Sequence, residues 1–191
     1  MAARIWDDPA GYGAATRALH WGMAALFAWQ FVGAILQVLA KDSAIAGFFW
    51  STHVTLGFTL WLLVLARGAW GLANLSRRPR HEGSEAGALA AKVGHLALYA
   101  LMILVPTLAL LRAVGNGRGF SVYGLQLVAP GGEAIPALTA PGNALHGLLG
   151  WALLALIVGH VAMALFHAHV RKDPTLDRMT RGASARRSAP V

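Results

Sequence analysis

The sequence has no cysteine among its 191 residues. Disulfides, zinc–thiolate sites, iron–sulfur clusters and thioether-linked c-type haem are therefore excluded. Charge is also scarce. Only 13% of residues are charged, against roughly 25% in a soluble domain. Acidic residues are the rarer sign, 8 Asp and Glu against 16 Lys and Arg, which leaves a formal net charge of +8. With 57% hydrophobic residues and a mean hydropathy of +0.54, neither a soluble globular protein nor a disordered one fits.

What is present is long apolar runs. A helix needs about 20 mostly apolar residues to cross a bilayer. Four stretches qualify, at about Ala18–Leu39, Ile45–Leu72, Val93–Leu111 and Asn143–His169. They are joined by polar or turn-rich segments: Lys41-Asp42-Ser43, then Asn74 to Ala91, then the glycine- and proline-rich Gly115 to Gly142. The fold expected is all-α, an integral membrane four-helix up-down-up-down bundle forming one domain over residues 1–181. A small, basic, disordered tail is expected over 182–191. The first run is too long for a signal-peptide core and lacks a small-residue cleavage site after it, so it is expected to be a retained span.

Thirteen of the 16 Lys and Arg fall at the amino terminus, in the second connection and its flanks, or in the carboxyl tail. Lys41, Arg112 and Arg118 make up the other side. The excess of positive charge predicts both termini in the cytoplasm. It explains the net charge without a nucleic acid partner; contact of the tail with anionic lipid is a further expectation.

Ionisable residues inside spans are costly and point to function. His20, His53, His95, His146 and His160 all lie within the four runs. One such ring is readily explained as a neutral histidine bonded to a neighbouring helix; five in four helices point to ligands. His146 and His160 are 14 residues apart, roughly 21 Å along a helix and about 40° short of four full turns. They share a face near opposite membrane surfaces. His20 and His53 differ in height by roughly 16 Å when the chain is followed up the first run and down the second. Two level pairs result, His53 with His146 at the outer side and His20 with His160 at the inner. His95 has a height similar to His20, so height leaves open which of the two meets His160. Facing imidazoles at two levels suit two six-coordinate haems. Gly22, Ala24, Gly57, Gly147, Gly150, Gly159 and Ala162 would leave room for a flat macrocycle, or would serve close helix packing.

Arg17-Ala-Leu-His20-Trp21, His53-Val-Thr-Leu-Gly57 with Arg67, Gly94-His95 with Tyr99 and Pro106, and His146 with His160 and His167 together resemble the bacterial four-helix cytochrome b561 family. The likeness runs from about Gly11 to Arg181. The tail from Lys172-Asp173 through Arg178-Met179 looks most like the superoxide oxidase branch, which passes electrons from superoxide to ubiquinone. The resemblance implies two haem b groups, with His20 and His160 on the inner iron and His53 and His146 on the outer. It thereby favours His20 over His95. It makes His95 and His167 candidates for a ubiquinone pocket. The family also contains electron-carrying cytochrome subunits of dehydrogenases and hydrogenases.

Arg67 is read either as a partner of a haem propionate or as a topology charge. Arg112, Arg118 and Lys41 are read either as attracting the superoxide anion or as ordinary interfacial side chains. Tyr99, Trp21 and Trp151 are expected to pack or to sit in the aromatic belt, and Pro106 to kink the third helix. Gly115-Asn-Gly-Arg-Gly119 has the wrong spacing for a dinucleotide fingerprint. Asn74-Leu-Ser76 matches a glycosylation sequon by chance. His81 and His169 receive no role. The expected partners are membrane lipid, ubiquinone, superoxide and a redox partner protein, in a bacterial inner membrane. The rival readings are an electron-transfer subunit of a larger enzyme, a histidine-lined metal transporter without haem, and a structural bundle.

Overall fold

The computed structural model of the chain describes residues 4–79 and 84–182. Arg80, His81, Arg186, Arg187 and most of the tail expected to be disordered lie outside the described residues. Four long helical passes are present, all apolar enough to cross a membrane. The first is α1, Ala14–Leu39. The second is two helices end to end, α2 over Ala44–Ser51 and α3 over His53–Ala73. The third is α4, Glu85–Gly115, and the fourth is α5, Pro136–Phe166, continued by a π-helical turn over His167–Arg171. A short α6, Thr175–Thr180, ends the described chain. In each pass only 6% to 17% of the most apolar window is buried within the protein. Water does not tolerate four such surfaces, whereas lipid does.

Three boundaries differ from those expected, each for a local reason. The second pass is interrupted at Thr52. Its backbone amide and hydroxyl both turn to the Phe49 carbonyl, at 3.2 and 2.8 Å. Its dihedrals stay near-helical, φ −91° and ψ −9°, so the pass continues. α4 starts at Glu85 and not near Val93, because the Ser84 side chain caps the Gly87 amide at 3.1 Å and the Ala-rich turn that follows favours helix. α4 also runs on through Pro106 without a break in the helix. α5 starts at Pro136 and not near Asn143, since proline at the first turn needs no amide partner.

The connection between α4 and α5 is thus shorter than Gly115 to Gly142, and it contains a hairpin. β1, Phe120–Val122, pairs antiparallel with β2, Leu125–Val128. Its tip, Tyr123-Gly124, has φ of 52° and 78°, the two positive values of a two-residue turn that matches strand twist. Phe120 and Val122 are buried and the Tyr123 hydroxyl meets Thr59 Oγ1 on α3, so the hairpin lies against that helix.

The buried core is a thin waist of Met23, Leu60, Val64, Leu98, Met102 and Leu153. Leu153 is midway between His146 and His160 on α5. The bundle therefore closes at mid-height and is looser above and below. α5 packs chiefly along α4, and α1 along α2 and α3. At Gly142 an added Cβ would come within 2.6 Å of the Leu108 carbonyl, so the α4–α5 contact requires glycine there.

Both described termini lie at one end of the bundle. Asp7 is buried, and its Oδ1 accepts from the Gly13 amide at 2.9 Å and the Thr16 hydroxyl at 2.6 Å. Trp6 stacks on Trp70 with centroids 4.5 Å apart, and Arg77 lies over Trp6. From the other terminus, the Thr180 and Met179 carbonyls accept from Arg17 and Trp21 at 3.0 and 3.1 Å. Hereafter this is the terminus end, and the opposite one is the hairpin end.

Candidate functional site

The histidines gather at two levels, one on each side of the waist. At the hairpin end the rings of His53 on α3 and His146 on α5 face each other, centroids 6.2 Å apart and planes at 81°. His146 Nδ1 lies 3.0 Å from the Val105 carbonyl. A carbonyl only accepts, so Nδ1 carries the proton and Nε2 presents its lone pair. The His53 ring is held by Gln30, whose Nε2 lies 3.1 Å from Nδ1 and donates to the His53 carbonyl at 3.0 Å. Gln30 Oε1 is buried without a partner among the described residues. Trp50 covers His53 with centroids 4.5 Å apart.

At the terminus end three rings meet. His160 on α5 faces His20 on α1 at 6.1 Å and 71°, and His95 on α4 at 5.4 Å and 70°. The ambiguity in height is thus present in space: both candidates flank His160. His95 bonds back to the Ala91 carbonyl. His20 Nδ1 is buried without a partner among the described residues. Arg67 on α3 lies within electrostatic reach of all three rings, and its guanidinium is 5.8 Å from the Tyr99 ring centre.

The residues fit a haem at each level. A metal–imidazole bond is about 2.0 Å and the ring centre lies roughly 1 Å behind the nitrogen, so two rings on one iron stand on the order of 6 Å apart. The His53–His146 and His20–His160 separations match that spacing. α5 makes little backbone contact with α1 or α3, although its rings face theirs. Nor would a Cβ added at Gly22, Gly147, Gly150 or Gly159 meet any atom within 4 Å. Paired imidazoles at this spacing, with no side chain crowding those glycines, suit a flat macrocycle.

Comparison with known proteins agrees with this geometry. Residues 11–182 match the family described as prokaryotic cytochrome b561. The chain belongs to that family. It is also 30% identical over 181 residues to cytochrome b561 homolog 2 of Escherichia coli (strain K12), covering 91% of this chain and 93% of the relative. As a cytochrome b561 it is a membrane b-type cytochrome that carries electrons. The division of the histidines between two levels also separates this cytochrome from a transporter that gathers them at one metal.

The other candidate residues are distributed unevenly. Arg112 and Arg118 line one polar hollow at the hairpin end, with Asn116, Thr139 and Asn143. Arg112 lies within electrostatic reach of His53. Lys41 is exposed in the turn after α1 and is not part of that hollow. His167 lies in the π-helical turn at the terminus end, where its Nδ1 meets Asp173 Oδ2 at 2.5 Å. No described contact joins it to His95. His169 is exposed on the same turn. Trp151 faces outward, 44% exposed. Asn74 is fully buried and donates to the Trp70 carbonyl at 3.0 Å, so it is no glycosylation acceptor. Gln30 and Trp50 escaped sequence reading, and Asp173 entered it only as part of the tail motif. Gln30 had a signal, a polar side chain inside an apolar span. Trp50 had none until the chain folded, nor had the pairing of Asp173 with His167.

Proposed function

We propose that this cytochrome oxidises superoxide at the hairpin end and reduces ubiquinone at the terminus end, with haem b at each histidine level. The terminus end faces the cytoplasm of a bacterial inner membrane. That orientation rests on the thirteen Lys and Arg that the topology assigns to it. The overall change is balanced: two superoxide anions, one ubiquinone and two protons give two dioxygen molecules and one ubiquinol.

The observation that carries this reading is the pair of facing imidazole sets, one on each side of the waist. Haem b, when bound, supplies a one-electron iron couple at each level. His53 and His146 would hold it at the hairpin end, and His20 and His160 at the terminus end. The Val105 carbonyl sets the tautomer of His146, and Gln30 holds the direction of the His53 ring. The waist of Met23, Leu60, Val64, Leu98, Met102 and Leu153 packs apolar side chains between the two levels.

The residues around each level differ in a way that suits the two substrates. Among the described residues no carboxylate lines the hollow of Arg112, Arg118, Asn116, Thr139 and Asn143. Two guanidiniums there attract a small anion toward His53. At the other level His95 sits beside the His20–His160 pair as a spare ring, and with His167 it offers proton-carrying groups to a quinone. Arg67 provides a fixed positive charge there for a haem propionate.

An oxidised-minus-reduced absorbance spectrum with haem quantification on the purified protein tests this. About two haems per chain, reoxidised by ubiquinone and reduced by superoxide, is the expected result. A preparation without haem, or one that superoxide does not reduce, refutes it.

A further inference from the structure

Arg78 is a cation that neither the ligand sets nor the core of the bundle uses, and its position is built locally. α3 ends at Ala73, and a 3₁₀ turn over Leu75–Arg77 follows. Buried Asn74 fixes that turn. Its side chain donates to the Trp70 carbonyl at 3.0 Å and accepts from the Asp7 amide at 3.2 Å, while its own carbonyl accepts from the Arg77 amide at 2.9 Å. Pro79 disfavours helix at the residue before it, and Arg78 is extended, φ −64° and ψ 146°. The chain reversal brings the Arg78 side chain back against α3. There its guanidinium lies on buried Gly71, where an added Cβ would collide with Nη2. The side chain that Gly71 lacks leaves the berth for Arg78.

That berth puts two guanidiniums on one face of α3. Gly71 follows Arg67 by four residues, one turn and roughly 6 Å further toward the terminus end. Arg67 follows His53 by 14 residues, the interval that also separates His146 from His160. Arg67 therefore stands level with the inner rings, and Arg78 just outside them. Arg67 is within electrostatic reach of His20, His95 and His160, and Arg78 of His95. Among the described residues neither guanidinium makes a hydrogen bond or an ion pair. Tyr12 stands within reach of both, together with Arg178 and Asp7. Asp7 does not neutralise them. Its Oδ1 is taken by Gly13 and Thr16, and its buried Oδ2 has no partner among the described residues. Half-buried Arg67 with Arg78 at its rim is costly unless an anion joins them.

We propose that Arg78, seated on Gly71, joins Arg67 in binding the propionate carboxylates of the haem at the terminus end. This rests on the haem reading above. A guanidinium meets a carboxylate through two parallel N–H bonds, and haem b carries two carboxylates on one edge. Two cations stacked along α3 answer two carboxylates, and they fix which edge of the macrocycle faces the terminus end. Neighbouring Arg77 has another task, since its guanidinium lies over the Trp6 ring. A lipid phosphate offers the same charge as a propionate, so the test separates the two sources.

Arg78 is exposed, so Arg78→Gln removes the cation without opening the core. Haem-loaded protein is placed in nanodiscs of phosphatidylcholine alone and of phosphatidylcholine with phosphatidylglycerol. Resonance Raman reads the propionate bending bands, and transfer to apomyoglobin reads haem loss. Arg78→Gln should shift the band of one haem and speed the loss of that haem about tenfold, equally in both lipids. Arg67→Gln should act on the same haem. Gly71→Ala keeps the charge but displaces the guanidinium, and should act in the same direction and less. Arg78→Lys should restore only part, because an ammonium cannot make the paired bonds. Arg77→Gln should leave band and rate unchanged. A band and a loss rate that Arg78→Gln leaves unmoved overturn the proposal. So does an effect confined to phosphatidylglycerol, which would make lipid phosphate the partner, or an equal effect of Arg77→Gln, which would make it net charge. Each of those outcomes leaves the haem reading standing. A natural protein without haem at the terminus end overturns that reading and this proposal with it.

Discussion

The two histidine levels are built differently. At the hairpin end there are two rings, each with its Nδ1 held, by Val105 or by Gln30. The site is completed by Trp50 and a hollow lined by guanidiniums and amides. At the terminus end there are three rings, one with an orphaned Nδ1, and around them stand Arg67, the folded cap of both termini and the His167–Asp173 pair. A level that only exchanges electrons with a small anion needs fixed ligands and positive charge. A level that also hands protons to a quinone needs groups that can take up and give back a proton. The asymmetry is the physical basis on which we propose superoxide and ubiquinone at opposite ends.

The largest effects should come from the facing rings themselves. His53→Ala or His146→Ala is expected to lower the haem content from about two to about one per chain, and His20→Ala or His160→Ala to remove the other. His95→Ala should leave both in place, read as pyridine haemochrome against protein mass. Loss of a haem in His95→Ala with retention in His20→Ala would exchange the two inner roles. Gln30→Leu comes next. It removes the group that orients His53 while leaving the ligand, and should weaken retention of the outer haem by about 10–100-fold, measured as haem loss to apomyoglobin. Equal loss from both levels would show that Gln30 supports the bundle and not one ring.

The cations of the hairpin end should have a smaller effect. Arg112→Gln with Arg118→Gln is expected to slow reduction by superoxide about tenfold at low salt and to flatten its salt dependence. Lys41→Gln, outside the hollow, should change it much less. Equal slopes for both variants would mean that the net charge of the face acts, and the hollow does not. The smallest effect is acid release of α6. Burial works against the Asp173 carboxylate, but its bonds to Thr175 and His167 lower its pKa from 3.8 to about 2. Its hold on the turn is therefore complete above pH 4 and is lost as pH falls through about 2. Amide exchange in residues 172–181 should stay slow at pH 4 and rise near pH 2. Release already complete at pH 4 would contradict the depressed carboxylate.

Much of this was legible from residue spacing. The 14-residue interval from His146 to His160, read through helix geometry, sets two levels without any tertiary contact. The glycines near the facing rings were equally visible, although their purpose was not. The hairpin was not legible, because Phe120-Ser-Val and Leu125-Gln-Leu-Val sit among glycines and prolines that read as loop. The extension of α4 back to Glu85 depended on one serine cap. Gln30 and His53 are 23 residues apart on different passes, and no periodicity connects them.

By itself the sequence determined that the chain lies in lipid, that it crosses four times, and which ring heights exist. Those follow from hydropathy and a fixed rise per residue, which act locally along the chain. Only the tertiary structure decided which rings face one another, that His20 and His95 both reach His160, and which neighbour holds each Nδ1. Those are contacts between residues distant in sequence, set by how the helices tilt and pack around a waist a few side chains thick.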